Sequence, residues 1–220
     1  MIKHKPKLKV KKRKNPELES EAKEILSQFG NNIKFKYLSH GSFSEIYYFE
    51  VKTSGKLKPG KYVIKIFNKY QDVVDSDTIE YLLKLSDNNL IPEIYYITDK
   101  YIIMKYIEGV TLKSITKINT ANDWIIESDL YTFDELNTIL LNIVKLLKKW
   151  HRLGFAHGDL HSDNIIISKL GKIYLIDPKI EYMEYVSKNH DIRMFKDLYD
   201  GVNYMIPESV NDAKIKRLFL

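Results

Sequence analysis

His157-Gly158-Asp159-Leu160-His161-Ser162-Asp163-Asn164 runs straight into the aliphatic stretch Ile165-Ile166-Ile167, and Asp177 follows thirteen residues after Asn164. A second apolar run, Ile173-Tyr174-Leu175-Ile176, ends on that aspartate. Two short apolar runs bounded by polar residues read as a strand pair. Such a pair brings the amide of Asn164 and the carboxylate of Asp177 to one end. Oxygen donors of this kind suit Mg2+, which keeps water and substrate phosphates in the rest of its shell. Asp159 opens the same loop, where it can accept a hydroxyl proton or orient a nucleophile. The local alternative is that loop Asp and Asn side chains satisfy nearby backbone amides. That accounts well for Ser162 and Asp163 and poorly for the paired five- and thirteen-residue spacings.

Upstream of this loop, Thr132 precedes Glu135 by three, a capping box. Leu136, Ile139, Leu140, Ile143, Leu147 and Trp150 then recur at helical spacing, which predicts a helix over 132–151 with one buried stripe. Residues 119–131 keep no period and read as a loop. Downstream, a mostly helical segment is expected from about His190. Ahead of Glu108-Gly109 the pattern is strand-rich. Strands are expected at 34–38, 46–51, 61–67, 92–98 and 101–106, with helices at 16–29 and 75–85, the second capped by Asp75 or Ser76. The expected fold class is α+β: a five-stranded antiparallel lobe with one main helix over 16–107, then a reduced, mainly helical lobe over 108–220.

The 220 residues contain no cysteine, which excludes a disulfide scaffold and any thiolate metal site. No apolar run reaches membrane-spanning length and no apolar leader opens the chain, so an intracellular location is expected. The formal charge of +6 is unevenly placed. Residues 1–14 hold eight Lys and Arg side chains and no acid, leaving 15–220 at −2. Residues 1–15 therefore read as a disordered basic tail, either a solvated extension or a salt-sensitive attachment for nucleic acid or an acidic protein. No aromatic residue stands between the basic ones to stack on single-stranded bases.

The loop resembles the H-R-D-L-x-x-x-N motif of the protein-kinase-like superfamily at His157, Asp159, Leu160 and Asn164, with Asp177 at the D-F-G position. The resemblance extends over roughly 36–199. Lys65 in Tyr62-Val63-Ile64-Lys65 looks like the strand lysine of V-A-I-K, and Glu80 like its helix glutamate. Ser39-His40-Gly41-Ser42-Phe43-Ser44 stands where the Gly-rich loop would be, keeping only the middle glycine. Met104 to Gly109 resembles the linker between lobes. The resemblance implies a two-lobed fold using ATP and Mg2+. Lys65 would pair with the non-transferred phosphates, Glu80 would orient it, and Asn164 and Asp177 would hold the metal. Leu38, Val63, Met104, Ile166 and Ile176 would line an adenine slot, with backbone groups of Lys105 and Ile107 reading its edge. Gly41, Ser42 and Phe43 would cover the phosphates.

Three departures bear on the function. Gly158 replaces the motif arginine, and Pro178-Lys179 replaces Phe-Gly, which together imply a site formed without loop phosphorylation. His161 stands where serine/threonine kinases carry a phosphate-contacting lysine, and is expected to touch phosphate or to bond within the loop. The string HGDLHxxN is similar to that of aminoglycoside and lipopolysaccharide phosphotransferases. Asp197-Leu198-Tyr199 resembles the helix of small RIO-like and tRNA-modification-complex kinases, where an aspartate braces the loop, and Asp191 is the competing residue. Pro207-Glu208 lies near the end of the sequence, with little room after it for peptide-docking helices. The resemblance thus implies a minimal serine/threonine protein kinase. A kinase for a sugar, lipid or antibiotic hydroxyl and a nucleotide-binding module without turnover are the alternatives.

Overall fold

Pro16 fixes the backbone at the start of helix α1 (Pro16–Ser27), and Asn15 caps it by accepting the Glu17 N–H at 3.0 Å. Glu17 and Glu19 lie in the first turn, where the helix dipole favours acids. In this computed structural model the described residues are 15–30, 33–41, 44–68, 75–118, 124–126, 131–179 and 188–203. Residues 1–14 of the expected basic tail over 1–15, and the expected helix beyond 203, lie outside them, while Asn15 belongs to the folded body as the cap of α1. Two compact units emerge. The first takes the described residues to Leu83 together with Glu93–Tyr106; the second takes Lys84–Pro92 and the described residues from Ile107.

The first unit is built on β1 (Phe35–His40), β2 (Ser44–Val51), β3 (Gly60–Phe67), β4 (Ile94–Ile97) and β5 (Tyr101–Lys105), with α2 (Ser76–Asp87) between β3 and β4 in sequence and divided between the units after Leu83. The strands form one antiparallel sheet in the order β1-β2-β3-β5-β4. Because side chains alternate across a strand, Tyr47, Phe49 and Val51 share a face with Tyr62, Ile64 and Ile66. Leu18, Ala22, Ile25 and Leu26 of α1 bury that face in one apolar cluster. Glu45 ties the helix start to the sheet: it accepts the Asn15 N–H at 2.8 Å on one oxygen and the Tyr47 hydroxyl on the other. Of the two capping residues considered for α2, Asp75 does the work, accepting the Thr78 N–H at 2.7 Å.

In the second unit the chain forms β6 (Gly109–Thr111), α3 (Leu112–Ile115), β7 (Thr116–Ile118), β8 (Trp124–Ile126), α4 (Phe133–Arg152), a single 3-10 turn at Ser162–Asn164, β9 (Ile165–Ser168), β10 (Ile173–Leu175) and α5 (Lys188–Asn203). The capping box of α4 is complete: Glu135 accepts the Thr132 N–H at 2.7 Å, and the Thr132 hydroxyl accepts the Glu135 N–H at 3.3 Å. All six stripe residues of α4 are buried. The expected fold class holds, with two corrections. Residues 124–126, expected in a loop, are a strand paired with β7. The hairpin at 165–175 is joined by a third strand, β6, in the order β10-β9-β6. A Cβ on Gly109 would stand 2.2 Å from the carbonyl oxygen of Ile167, so only glycine lets β6 approach β9 so closely. Among the described residues no helix is long and apolar enough to cross a membrane.

Candidate active site

The loop after α4 is organised around a buried histidine. His157 is fully buried. The Asp159 amide lies 3.3 Å from its Nδ1, and an amide N–H can only donate, so Nδ1 is the acceptor and the ring proton sits on Nε2. That proton is donated to the Ile176 carbonyl at 3.0 Å. Both ring nitrogens are satisfied in the neutral form. Burial pushes the imidazole below its ordinary range and outweighs the opposing pull of Asp191, the Ile176 carbonyl, Asp159 and Asp177. His157 is a neutral pillar between the loop and the strand that ends before Asp177.

A carboxylate from α5 fixes the same turn. Asp191, fully buried, accepts the His157 N–H at 2.8 Å and the His151 Nε2 at 3.0 Å on one oxygen, and the Gly158 N–H at 2.8 Å on the other. Burial alone would raise its pKa. The His151 hydrogen bond, the two amides and His157 more than offset that and hold it below the usual carboxylate range. Of the two aspartates considered for bracing the loop, it is Asp191 that does so. Asp197 is exposed, whereas Asp191, Phe195 and Leu198 share the buried face of α5. That i, i+4, i+7 spacing was the available signal. Gly158 has φ +76, a conformation an arginine would enter only with strain, which gives a backbone reason for its departure from the motif.

Asp159, His161 and Asn164, three of the predicted chemical residues of this unit, converge. Asn164 Nδ2 donates to the Asp159 carbonyl at 2.9 Å and to Asp159 Oδ2 at 3.1 Å, and lies 3.0 Å from His161 Nε2. Asp159 and His161 are about half exposed, with Oδ2 and Nε2 3.5 Å apart. The Ile176 N–H donates to the Asn164 carbonyl at 2.9 Å, and the Lys179 N–H to the His157 carbonyl at 3.1 Å. Asp177 thus stands on a segment fastened on both sides, at φ +56, a left-handed conformation that aspartate tolerates. The donor set fits a hard cation. With Asn164 Nδ2 held by the loop, its Oδ1 takes no hydrogen bond among the described residues. Ile166 pairs with Tyr174, both on the less buried side of a hairpin whose Ile165, Ile167, Ile173 and Leu175 face the core.

In the first unit the strand register gathers a second set. Val63 pairs with Met104, and Lys65 with Ile46 on one side and Ile102 on the other. All of them therefore share the sheet face opposite α1. Ile46 and Tyr48 belong to that face and were not among the expected residues, although the alternation of β2 places them there. Lys65 Nζ lies 5.6 Å from the Phe67 ring centroid. Glu80 is exposed on α2, and Lys84, one helical turn on, places Nζ 5.2 Å from the Phe155 ring. Leu38 sits in the register shift between Tyr37 and Ser39. The Lys105 N–H is taken by the Glu93 carbonyl at 2.8 Å, so a purine contact from Lys105 would come from its own carbonyl. Ile107, in the second unit, is nearly buried. Gly41 donates its N–H to the Ser44 carbonyl at 2.9 Å; Ser42 and Phe43 lie outside the described residues.

With that geometry in place, comparison with known proteins is specific. The family described as Protein kinase domain matches residues 33–218. The chain is 25% identical over 192 residues to serine/threonine-protein kinase CBK1 of Pneumocystis carinii, covering 84% of this chain and 36% of that protein. It is 28% identical over 148 residues to CBK1 of Candida albicans, covering 64% of this chain and 19% of that one. It is 27% identical over 154 residues to serine/threonine-protein kinase greatwall of Xenopus laevis, covering 64% and 16%. The chain thus spans about a third or less of the length of these relatives.

Proposed function

The chain belongs to the protein kinase domain family, and from that premise we propose that it is a serine/threonine protein kinase transferring the γ-phosphate of ATP to a hydroxyl. The observation that carries this reading is the Asp159–Asn164 pair, set on a loop whose backbone is fixed by Asp191 and His157. Asp159 orients the acceptor hydroxyl and takes its proton on Oδ1, which accepts no hydrogen bond among the described residues. Asn164 Oδ1 and the Asp177 carboxylate hold Mg2+, which when bound neutralises charge on the phosphate oxygens. Lys65 pairs with the non-transferred phosphates, and Glu80 orients its ammonium. Leu38, Val63, Met104, Ile166 and Ile176 contact the purine, with the Lys105 carbonyl and the Ile107 amide at its edge. Gly41, Ser42 and Phe43 cover the phosphates, with Gly41 permitting close approach.

The HGDLHxxN string, with His161 bonded inside the loop, favours a second reading in which the acceptor is a sugar, lipid or antibiotic hydroxyl. The likeness to aminoglycoside and lipopolysaccharide phosphotransferases rests on those letters, and the likeness to RIO-like kinases on Asp197-Leu198-Tyr199. The test is a screen with γ-labelled ATP on basic proteins, acidic proteins and alcohol metabolites, using wild type and Asp159→Asn side by side. Label entering serine or threonine of a protein, and lost in the variant, supports the first reading. Turnover on metabolites alone supports the second. Nucleotide binding with no transfer to anything would sink both and leave a binding module.

A further inference from the structure

Helix α1 and its cap lie outside residues 33–218, the part of the chain that matches the protein kinase domain family. The acid that ties this cap to the sheet also stands beside the loop at 39–44. Glu45, 5% exposed, follows Ser44 at the start of β2, on the same strand face as Tyr47, Phe49 and Val51. A buried carboxylate is costly unless it is hydrogen-bonded. Here one oxygen accepts the Asn15 N–H across 30 residues of sequence, and the other accepts the Tyr47 hydroxyl. Burial, then the bond to Glu45, pushes the Tyr47 hydroxyl far above its ordinary value, so it stays a donor. Asn15 is itself held: its carbonyl accepts the Glu19 N–H at 3.0 Å and its side chain that of Glu17 at 3.0 Å.

The other end of this link is the base of the loop. Glu45 pairs with His40 in the β1–β2 register, and the Gly41 N–H closes the base on the Ser44 carbonyl at 2.9 Å. A second route reaches the same place. Tyr47 packs edge-on against Tyr37 with ring centroids 5.8 Å apart, and the Tyr37 hydroxyl lies 2.7 Å from His40 Nδ1. Both strands that carry the loop are thus fastened from the α1 side, while Ile46 and Lys65 pair on the opposite face.

We propose that Glu45 is a positioning residue: by bonding the cap of α1 to the strand that leaves the 39–44 loop, it sets how closely that loop approaches the phosphates of ATP. It touches no reacting atom. The proposal rests on the phosphate-covering role of Gly41, Ser42 and Phe43.

Glu45→Ala strands the buried Tyr47 hydroxyl and endangers the fold, so the test is made at Asn15, which joins the link through its backbone N–H. Asn15→Ala removes the side-chain cap and keeps that N–H. Asn15→Pro removes both, at φ −82 and ψ 112, which proline can adopt. Both variants lose the cap's share of stability, and the second alone breaks the link. A smaller folded fraction lowers apparent kcat and leaves KM alone, so KM separates the two effects. KM for ATP is expected to be about tenfold higher in Asn15→Pro than in Asn15→Ala, with kcat equal, because binding shared by ground and transition states is removed. Equal KM in the two variants overturns the proposal and leaves the kinase reading standing. If wild type binds ATP and transfers no phosphate, the kinase reading fails and the same ratio, read in Kd, decides the link. If it binds no ATP, amide exchange of the nucleotide-free protein decides it. Faster exchange at Gly41 in Asn15→Pro than in Asn15→Ala supports the coupling of cap and loop, and equal rates overturn it.

Discussion

Asp191 gathers three hydrogen bonds on one fully buried carboxylate, and its neighbour His157 is a fully buried neutral imidazole. Both carry the same sign of pH dependence. His157 is held below its ordinary value of 6.5, so unfolding in acid takes up a proton that the native state refuses, and stability falls as pH drops below about 6.5. Asp191 is held below 3.8; its contribution is present above that value and is lost as pH falls through the lower native one. A plot of Tm against pH should therefore decline in two stages, and His157→Gln should flatten the first. Asp191→Asn puts an NH2 where two amides and an imidazole donate. It should cost roughly 2–4 kcal/mol, read from denaturant unfolding, because charge-assisted bonds are lost and buried donors are left unmet. A cost below 1 kcal/mol would mean that the loop is held by something else. Asp159→Asn has the opposite profile: turnover should fall at least ~100-fold with little change in ATP affinity, since its role arises in the transition state. Equal losses in binding and rate would count against that role.

At the scale of elements, what the sequence disclosed depends on where each element's signal is stored. Helix α4 carries its own: a capping box and six apolar residues at helical spacing, all of them buried. The five strands of the first sheet are bounded by turn residues and alternate, so they too were legible. Strands β6, β7 and β8 have three residues each, too few to display a period, and β6 exists because Ser168, 59 positions on, lies opposite Gly109. Gly109→Ala should expose that dependence. The added methyl meets backbone rather than a flexible side-chain tip, and overpacking of this kind costs about 1–3 kcal/mol. Amide exchange should show it as lost protection in β6 and β9, with β1 to β5 unaffected. Exchange that rises evenly over both sheets would contradict the local account.

For the whole molecule, charge and fold are separable. The formal +6 rests on residues 1–14, and the rest of the chain sums to −2. Removing the first fourteen residues should abolish retention on an anionic matrix at low salt and leave Tm unchanged, since the first helix begins with a cap at Asn15. Retention that survives the deletion would locate the basic surface in the folded body. The candidate site was legible at the same coarse level. Asp159, Asn164 and Asp177 could be proposed from sequence because their spacing is a property of one short stretch. Ile46 was hidden because its pairing with Lys65 is a matter of register.

The bracing carboxylate also sets an order of events during synthesis. Residues 157–177 leave the ribosome before Asp191 does, and until α5 follows, the amides of His157 and Gly158 have no acid to receive them. A nascent chain halted at Lys179 would display every motif letter and still lack the group that shapes them. Competence for transfer is therefore expected to arise late, with the arrival of one helix, rather than with the residues that perform the chemistry.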